Sequence, residues 1–137
     1  MNDLSEDKEL EMIKHRMLKR LLNEAKEEKV LDHPVEVNDA NLDDLVRKHP
    51  VVVVDCWATW CPPCRMLEPV IEELARRLAG KVVFGKLDVD LNPLTVQRYS
   101  IMEVPTLLIF KNGGFMGKVI GYRPLPQLEE IIRRYLD

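Results

Sequence analysis

Cysteine, net basic charge and long apolar runs are all scarce in this 137-residue chain. Each scarcity excludes something. Three cysteines are too few for the disulfide framework that staples small secreted domains. Acidic residues outnumber basic ones, 23 to 20, for a formal charge of −3. With no basic run to offset that balance, nucleic acid is not expected as a partner. No apolar run approaches the ~20 residues of a membrane-spanning helix, so no membrane partner is expected either. The opening Met1-Asn2-Asp3-Leu4-Ser5-Glu6-Asp7 is acidic and carries no apolar segment, unlike a secretory signal. A reducing, cytoplasmic setting is therefore expected. His15, His33 and His49 are scattered, and two of them precede proline. That spacing offers no metal cluster. No repeat and no low-complexity segment is present. Glutamine is scarce beside abundant Lys, Arg and Glu, a bias compatible with a thermophilic source.

What is present is a globular composition, 46% hydrophobic and 31% charged, of a length for one domain and an arm. From about Ser5 to Val30, Leu10, Ile13, Met17 and Leu21 recur at helical spacing, widened by Leu18, Leu22 and Ala25. Ser5 can cap this helix, and Lys26 and Lys29 suit its C-terminal end. His33-Pro34 ends the arm, giving an extension over 1–32 and a domain over 33–137. The domain then reads as a short strand at Val35-Glu36-Val37 and a short helix to about Lys48, capped by Asn38 or Asn41. Val51 to Cys56 is apolar on both parities, as in a central strand buried on both faces. A long helix from Pro62 to about Leu78 ends near Gly80. A strand over 82–89 follows. Asn92-Pro93 then signals the cap and first turn of a short helix. Thr106 to Phe110 and Phe115 to Ile120 pair across an Asn112-Gly113-Gly114 turn. The last helix, from about Pro126 to Leu136, turns Leu128, Ile131, Ile132 and Tyr135 inward. The order is an arm helix followed by βαβαβαββα, which makes a mixed α/β sheet covered by helices on both faces.

Trp60-Cys61-Pro62-Pro63-Cys64 lies where the Val51–Cys56 strand hands over to the long helix. A helix start turns the backbone enough to bring two such cysteines together. A thiol there sits among unpaired N–H groups and the positive end of the macrodipole. That setting favours the thiolate, which is the species that attacks disulfides. Pro62 and Pro63 have no N–H, so a donor to the Cys61 sulfur must come from a later residue such as Cys64. A zinc site would want four ligands, and no second pair exists. Asp55 ends a run of valines, where burial should raise its proton affinity enough for relay work. Cys56, one residue on, should face the opposite layer as a small core hydrophobe.

In order along the chain come Val54-Asp55-Cys56-Trp57-Ala58, the Cys61–Cys64 motif, Pro69, Lys86-Leu87-Asp88-Val89-Asp90, Val104-Pro105-Thr106, Phe110-Lys111-Asn112-Gly113 and Gly121. With these the segment from about Val35 to Leu136 resembles the thioredoxin family. The resemblance implies a thioredoxin fold, extended here by the N-terminal amphipathic helix, and reduction of protein disulfides through a Cys61/Cys64 dithiol. It implies Cys61 as nucleophile and Cys64 as the resolving, more buried thiol. Asp55 becomes the carboxylate that handles the Cys64 proton, with Lys86 as its neighbour. Trp57, Trp60, Pro62, Pro63, Val104, Pro105 and Gly121 would border the substrate groove, Pro105 as a cis-proline. No cofactor beyond the disulfide is implied. The partners implied are disulfide-containing proteins and a thioredoxin-reductase-like electron donor. Pro62, Cys56 and Glu103 depart from the family's commoner Gly, aromatic and Gly, and the arm lies outside it. The arm also admits a second reading, a thioredoxin-fold adaptor whose helix binds a partner, with redox activity secondary; separately, a homodimer through the N-terminal helix is an expected option.

Overall fold

The computed structural model describes residues 3–29 and 31–137, with side chains described for 7–23 and 31–137. The chain divides into two compact units, Met1–Leu31 and Asp32–Asp137. The first is a single helix, α1 (Asp3–Lys29). Its Leu10, Ile13, Met17 and Leu21 side chains are each about half exposed. Lys14 falls on the same stripe, four residues after Leu10 and three before Met17, so a charge interrupts the apolar face. The Ser5 cap and the terminal Lys26 and Lys29 lie outside the residues whose side chains are described.

In the second unit the elements follow the expected order: β1 (Val35–Glu36), α2 (Leu42–Lys48), β2 (Val51–Trp57), α3 (Pro62–Arg77), β3 (Val83–Asp88), α4 (Pro93–Arg98), β4 (Thr106–Lys111), β5 (Gly114–Ile120) and α5 (Leu125–Arg133). A 3-10 turn, Arg134–Leu136, closes the chain. The sheet order is β1-β3-β2-β4-β5. β1, β3 and β2 run parallel, while β4 is antiparallel to β2 and β5 to β4. The Val51–Val54 run is central, paired on both sides, and all four valines are buried. That is why it lacks the alternation of a half-exposed strand.

Strand alternation sorts β2 into two faces. Val51 and Val53 join Leu67, Ile71 and Leu74 of α3 and Leu128 and Ile132 of α5 in one cluster, against which Ile131 and Tyr135 pack. Asp55 shares their parity and so points toward the α3 layer. Val52, Val54 and Cys56 point the other way, to the face where Phe110, the register partner of Val52, meets Tyr99 edge-on. The β4–β5 turn places both Asn112 and Gly113 at positive φ, 50° and 84°, the pairing a two-residue hairpin turn requires.

Asn41 and Asn92 stand at the expected N-cap positions of α2 and α4, but neither side chain accepts a helix N–H. Asn92 makes no capping bond to α4. Its Oδ1 accepts from the Asp39 N–H, and its Nδ2 donates to the Asp88 carbonyl. The open N–H groups of α4 go instead to Asp39, whose carboxylate accepts from Leu94 N, Thr95 N and Thr95 Oγ1. At α2 the Asn38 side chain accepts from the Ala40 and Asn41 N–H groups, and Asn41 Oδ1 accepts from the Asn38 N–H.

Candidate active site at the start of helix α3

Cys61 is the N-cap of α3, with extended backbone (φ −110°, ψ 104°), and Pro62 and Pro63 occupy the first helical positions. Proline at 62 holds Cys61 out of the helical region, which a cap needs. Cys61 and Cys64 are joined as a disulfide with their Cα atoms 5.3 Å apart. The Cys64 N–H donates to Cys61 Sγ at 3.2 Å. This first free N–H of the helix is the donor that two successive prolines leave available. A negative charge forming on Cys61 after reduction would face that donor and the positive end of the helix.

The expectation that Cys64 is the more buried of the two is not met. Cys61 is 3% exposed and Cys64 5%. Ala58 packs with both, and Trp57, Val89 and Val104 lie against the group, so the same shell covers each cysteine. The helix cap, which only Cys61 occupies, is what distinguishes them.

The substrate-groove residues fall into two sets. Trp57 and Val104 touch the disulfide cluster. The Val104–Pro105 peptide bond is cis. The Pro105 carbonyl accepts the Gly121 N–H at 2.8 Å, and Gly121 has φ +87°, so the start of β4 and the end of β5 are tied together. Trp60 is largely exposed, with its indole N–H donating to Asp90 Oδ2 at 3.0 Å. Pro62 and Pro63 are exposed on the first turn of α3. Thr106 Oγ1 donates to the Glu103 carbonyl, closing the turn that contains Val104 and Pro105.

Behind the disulfide lies a cleft of about 330 Å³ lined by Asp55, Trp57, Thr59, Cys64, Glu68 and Lys86, among others. Asp55 is 2% exposed, and its Oδ1 has no hydrogen-bond partner among the described residues. Burial pushes its carboxyl up to about 7; Lys86 opposes that rise and Glu68 adds to it. Lys86 is the register partner of Asp55 on β3. Its ammonium donates to Glu68 Oε1 at 2.8 Å and lies 5.4 Å from the Trp57 ring centroid. Cys56 is fully buried and free, and burial pushes its thiol up, with Asp55 adding to the effect. It is an inert core side chain. Among the described residues no group of three or more His, Cys, Asp or Glu side chains could hold a metal.

Sequence reasoning missed Glu68, Asp90 and Asp39. Only Glu68 left a sequence signal, since a residue four positions after Cys64 shares its helix face.

Residues 33–134 match the family model described as Thioredoxin. The thioredoxin of Staphylococcus saprophyticus is 47% identical over 102 residues, covering 74% of this chain and 97% of that protein. A thioredoxin of Staphylococcus aureus matches at the same identity and coverage. Among solved structures, a mutant thioredoxin from Halobacterium salinarum superposes with a TM-score of 0.74 at 36% identity, covering 79% of this chain and 95% of that one.

Proposed function

The chain belongs to the thioredoxin family, and from that premise we propose a two-thiol mechanism for the exchange it performs. The activity is that of a thiol–disulfide oxidoreductase acting on protein disulfides, and its redox group is the Cys61–Cys64 pair. The observation that carries the proposal is the capped cysteine, Cys61, with the Cys64 N–H directed at its sulfur.

In the reduced protein Cys61 attacks a substrate disulfide as the thiolate. One substrate sulfur leaves as a thiol, and the other is held on Cys61 as a mixed disulfide. Cys64 then attacks Cys61 Sγ, which closes the protein disulfide and releases the second substrate thiol. Two electrons pass to the substrate. Asp55 takes the Cys64 proton, a role suited to a carboxyl that titrates near 7 beside the resolving thiol. Lys86 tunes it. Trp57, Trp60, Pro62, Pro63, Val104, Pro105 and Gly121 border the surface where an extended substrate segment docks.

A thioredoxin reductase is the electron donor that the family implies. A reducing, cytoplasmic location fits a free Cys56 and the absence of other cysteines. We take 33–137 as the exchange domain and 1–32 as an extension. We propose that the Leu10, Ile13, Met17 and Leu21 stripe of that extension serves as a docking surface, and sedimentation of the full chain would show whether its occupant is a second copy. Insulin reduction tests the mechanism: the wild type should accelerate precipitation of the B chain, and Cys61→Ser should not. Equal rates for the two proteins would contradict it.

A further inference from the structure

Two charged side chains in the cleft, Arg65 and Glu68, have no part in the scheme above. Glu68 follows Cys64 by one helical turn on α3 and lines the cleft with Asp55, Cys64 and Lys86. Its Oε1 accepts from Lys86 Nζ at 2.8 Å; the Lys86 side chain is 29% exposed and that of Glu68 47%. The Lys86 ammonium is therefore held toward the mouth of the cleft. Meanwhile Asp55 Oδ1, deeper in, has no hydrogen-bond partner among the described residues.

The groups facing Asp55 can be named from each packed element. α3 contributes Cys64, Arg65 and Glu68, and β3 contributes Lys86. β4 places the apolar Leu107 opposite it. Arg65 is turned to the Thr59 carbonyl, to which its guanidinium donates at 3.0 Å. This leaves one cation and one anion with opposing effects on the buried carboxyl, and the two are bonded to each other.

From this geometry we propose that Glu68 is a positioning residue for the resolving step: its carboxylate anchors the Lys86 ammonium and so sets how strongly that cation favours the charged form of Asp55. The proposal rests on the reading of Asp55 as the group that takes the Cys64 proton. In that step the Cys64 S–H proton moves to the Asp55 carboxylate. The Cys64 sulfur bonds to Cys61 Sγ, the bond from Cys61 to the substrate sulfur breaks, and its electron pair leaves with the substrate thiolate. Glu68 touches none of these atoms. It acts through Lys86, by limiting the cation's approach to the proton acceptor. Removing its charge frees the ammonium to move inward and removes an anion from the cleft. Both changes favour ionised Asp55.

The test is a ¹³C NMR titration of the Asp55 carboxyl carbon in oxidised wild type, Glu68→Gln, Lys86→Met and the double variant. Glu68→Gln keeps the side-chain size and an acceptor oxygen but drops the charge. Its Asp55 midpoint should lie lower than wild type by about half a pH unit or more. Glu68→Asp, which retains the anion, should stay nearer to wild type. Lys86→Met should raise the midpoint. On that background the effect of Glu68→Gln should shrink by about half or more, because the route through Lys86 is gone. An unchanged or raised midpoint in Glu68→Gln overturns the proposal. An equal displacement in both backgrounds also overturns it, by showing Glu68 to act as a bare charge. A stopped-flow pH profile of mixed-disulfide resolution separates this from the relay reading, since its limb should move with the Asp55 midpoint. A midpoint that moves while the limb stays would overturn the relay and, with it, the part of Glu68 in resolution.

Discussion

Replacing Asp55 with Asn should stabilise the folded protein at neutral and alkaline pH while slowing its resolving step. Asp55 is almost wholly buried, and its carboxyl is pushed up to about 7 from an ordinary 3.8. A raised value means that the folded chain binds this proton more tightly than the unfolded chain does. The stability that Asp55 contributes is therefore greatest below about pH 4 and falls as pH rises to about 7. Above that the loss is complete, on the order of 4 kcal/mol at 1.36 kcal/mol per pH unit. Asparagine carries no charge, so it escapes this loss, but its buried amide needs partners that the cleft supplies only in part. The net gain at about pH 8 should be on the order of 1–3 kcal/mol, and it should vanish or reverse near pH 4. Urea unfolding of the oxidised proteins across this range measures the difference directly. A difference that does not change with pH would refute the reasoning, because it would mean that Asp55 titrates alike in both states. In the same variant resolution should slow more than first attack. Identical pH–rate profiles for the two proteins would remove Asp55 from the mechanism.

Pro62→Gly should lower the reduction potential by tens of millivolts, since about 30 mV corresponds to about 1.4 kcal/mol between the two redox forms. The reason is that a freer first turn holds the Cys61 thiolate less firmly against the Cys64 N–H; equilibration with glutathione should show an unchanged or higher potential only if that contact does not matter. Deleting residues 1–32 should leave insulin reduction intact, because every residue placed in the mechanism lies after Val35, and should lower the thermal midpoint or the sedimenting mass. A folded truncation without activity would show that the arm takes part in substrate docking.

The order of elements was legible because each carries its own local signal: the Val51–Val54 run, the Pro62-Pro63 helix start, and the Asn112-Gly113 turn. The site was legible where its residues are neighbours in sequence, as with Cys61 and Cys64; Lys86 was placed beside Asp55 only by the family resemblance, with which the strand register agrees. What was not legible depends on pairings between distant segments. Asn92 has the local signature of a cap, yet Asp39 satisfies α4 from the loop after β1. No periodicity encodes such a contact. Glu68 reads as an ordinary helix-surface acid until the sheet places Lys86 beside it. The relative burial of Cys61 and Cys64 depends on a shell drawn from β2, the loop after β3 and the turn before β4, and so lay beyond local reasoning. In α1 the stripe was legible, and so was its interruption at Lys14, since residue spacing alone puts that charge on the helical face of Leu10 and Met17.

The claim on which the rest depends is that Cys61 attacks and Cys64 resolves. Reduced Cys64→Ser, mixed with a protein disulfide at neutral pH and digested for mass spectrometry, tests it most directly. The account predicts a stable mixed disulfide joining the substrate to the Cys61 peptide alone, with Cys56 unmodified. No adduct at Cys61, or turnover at the wild-type rate, would contradict it.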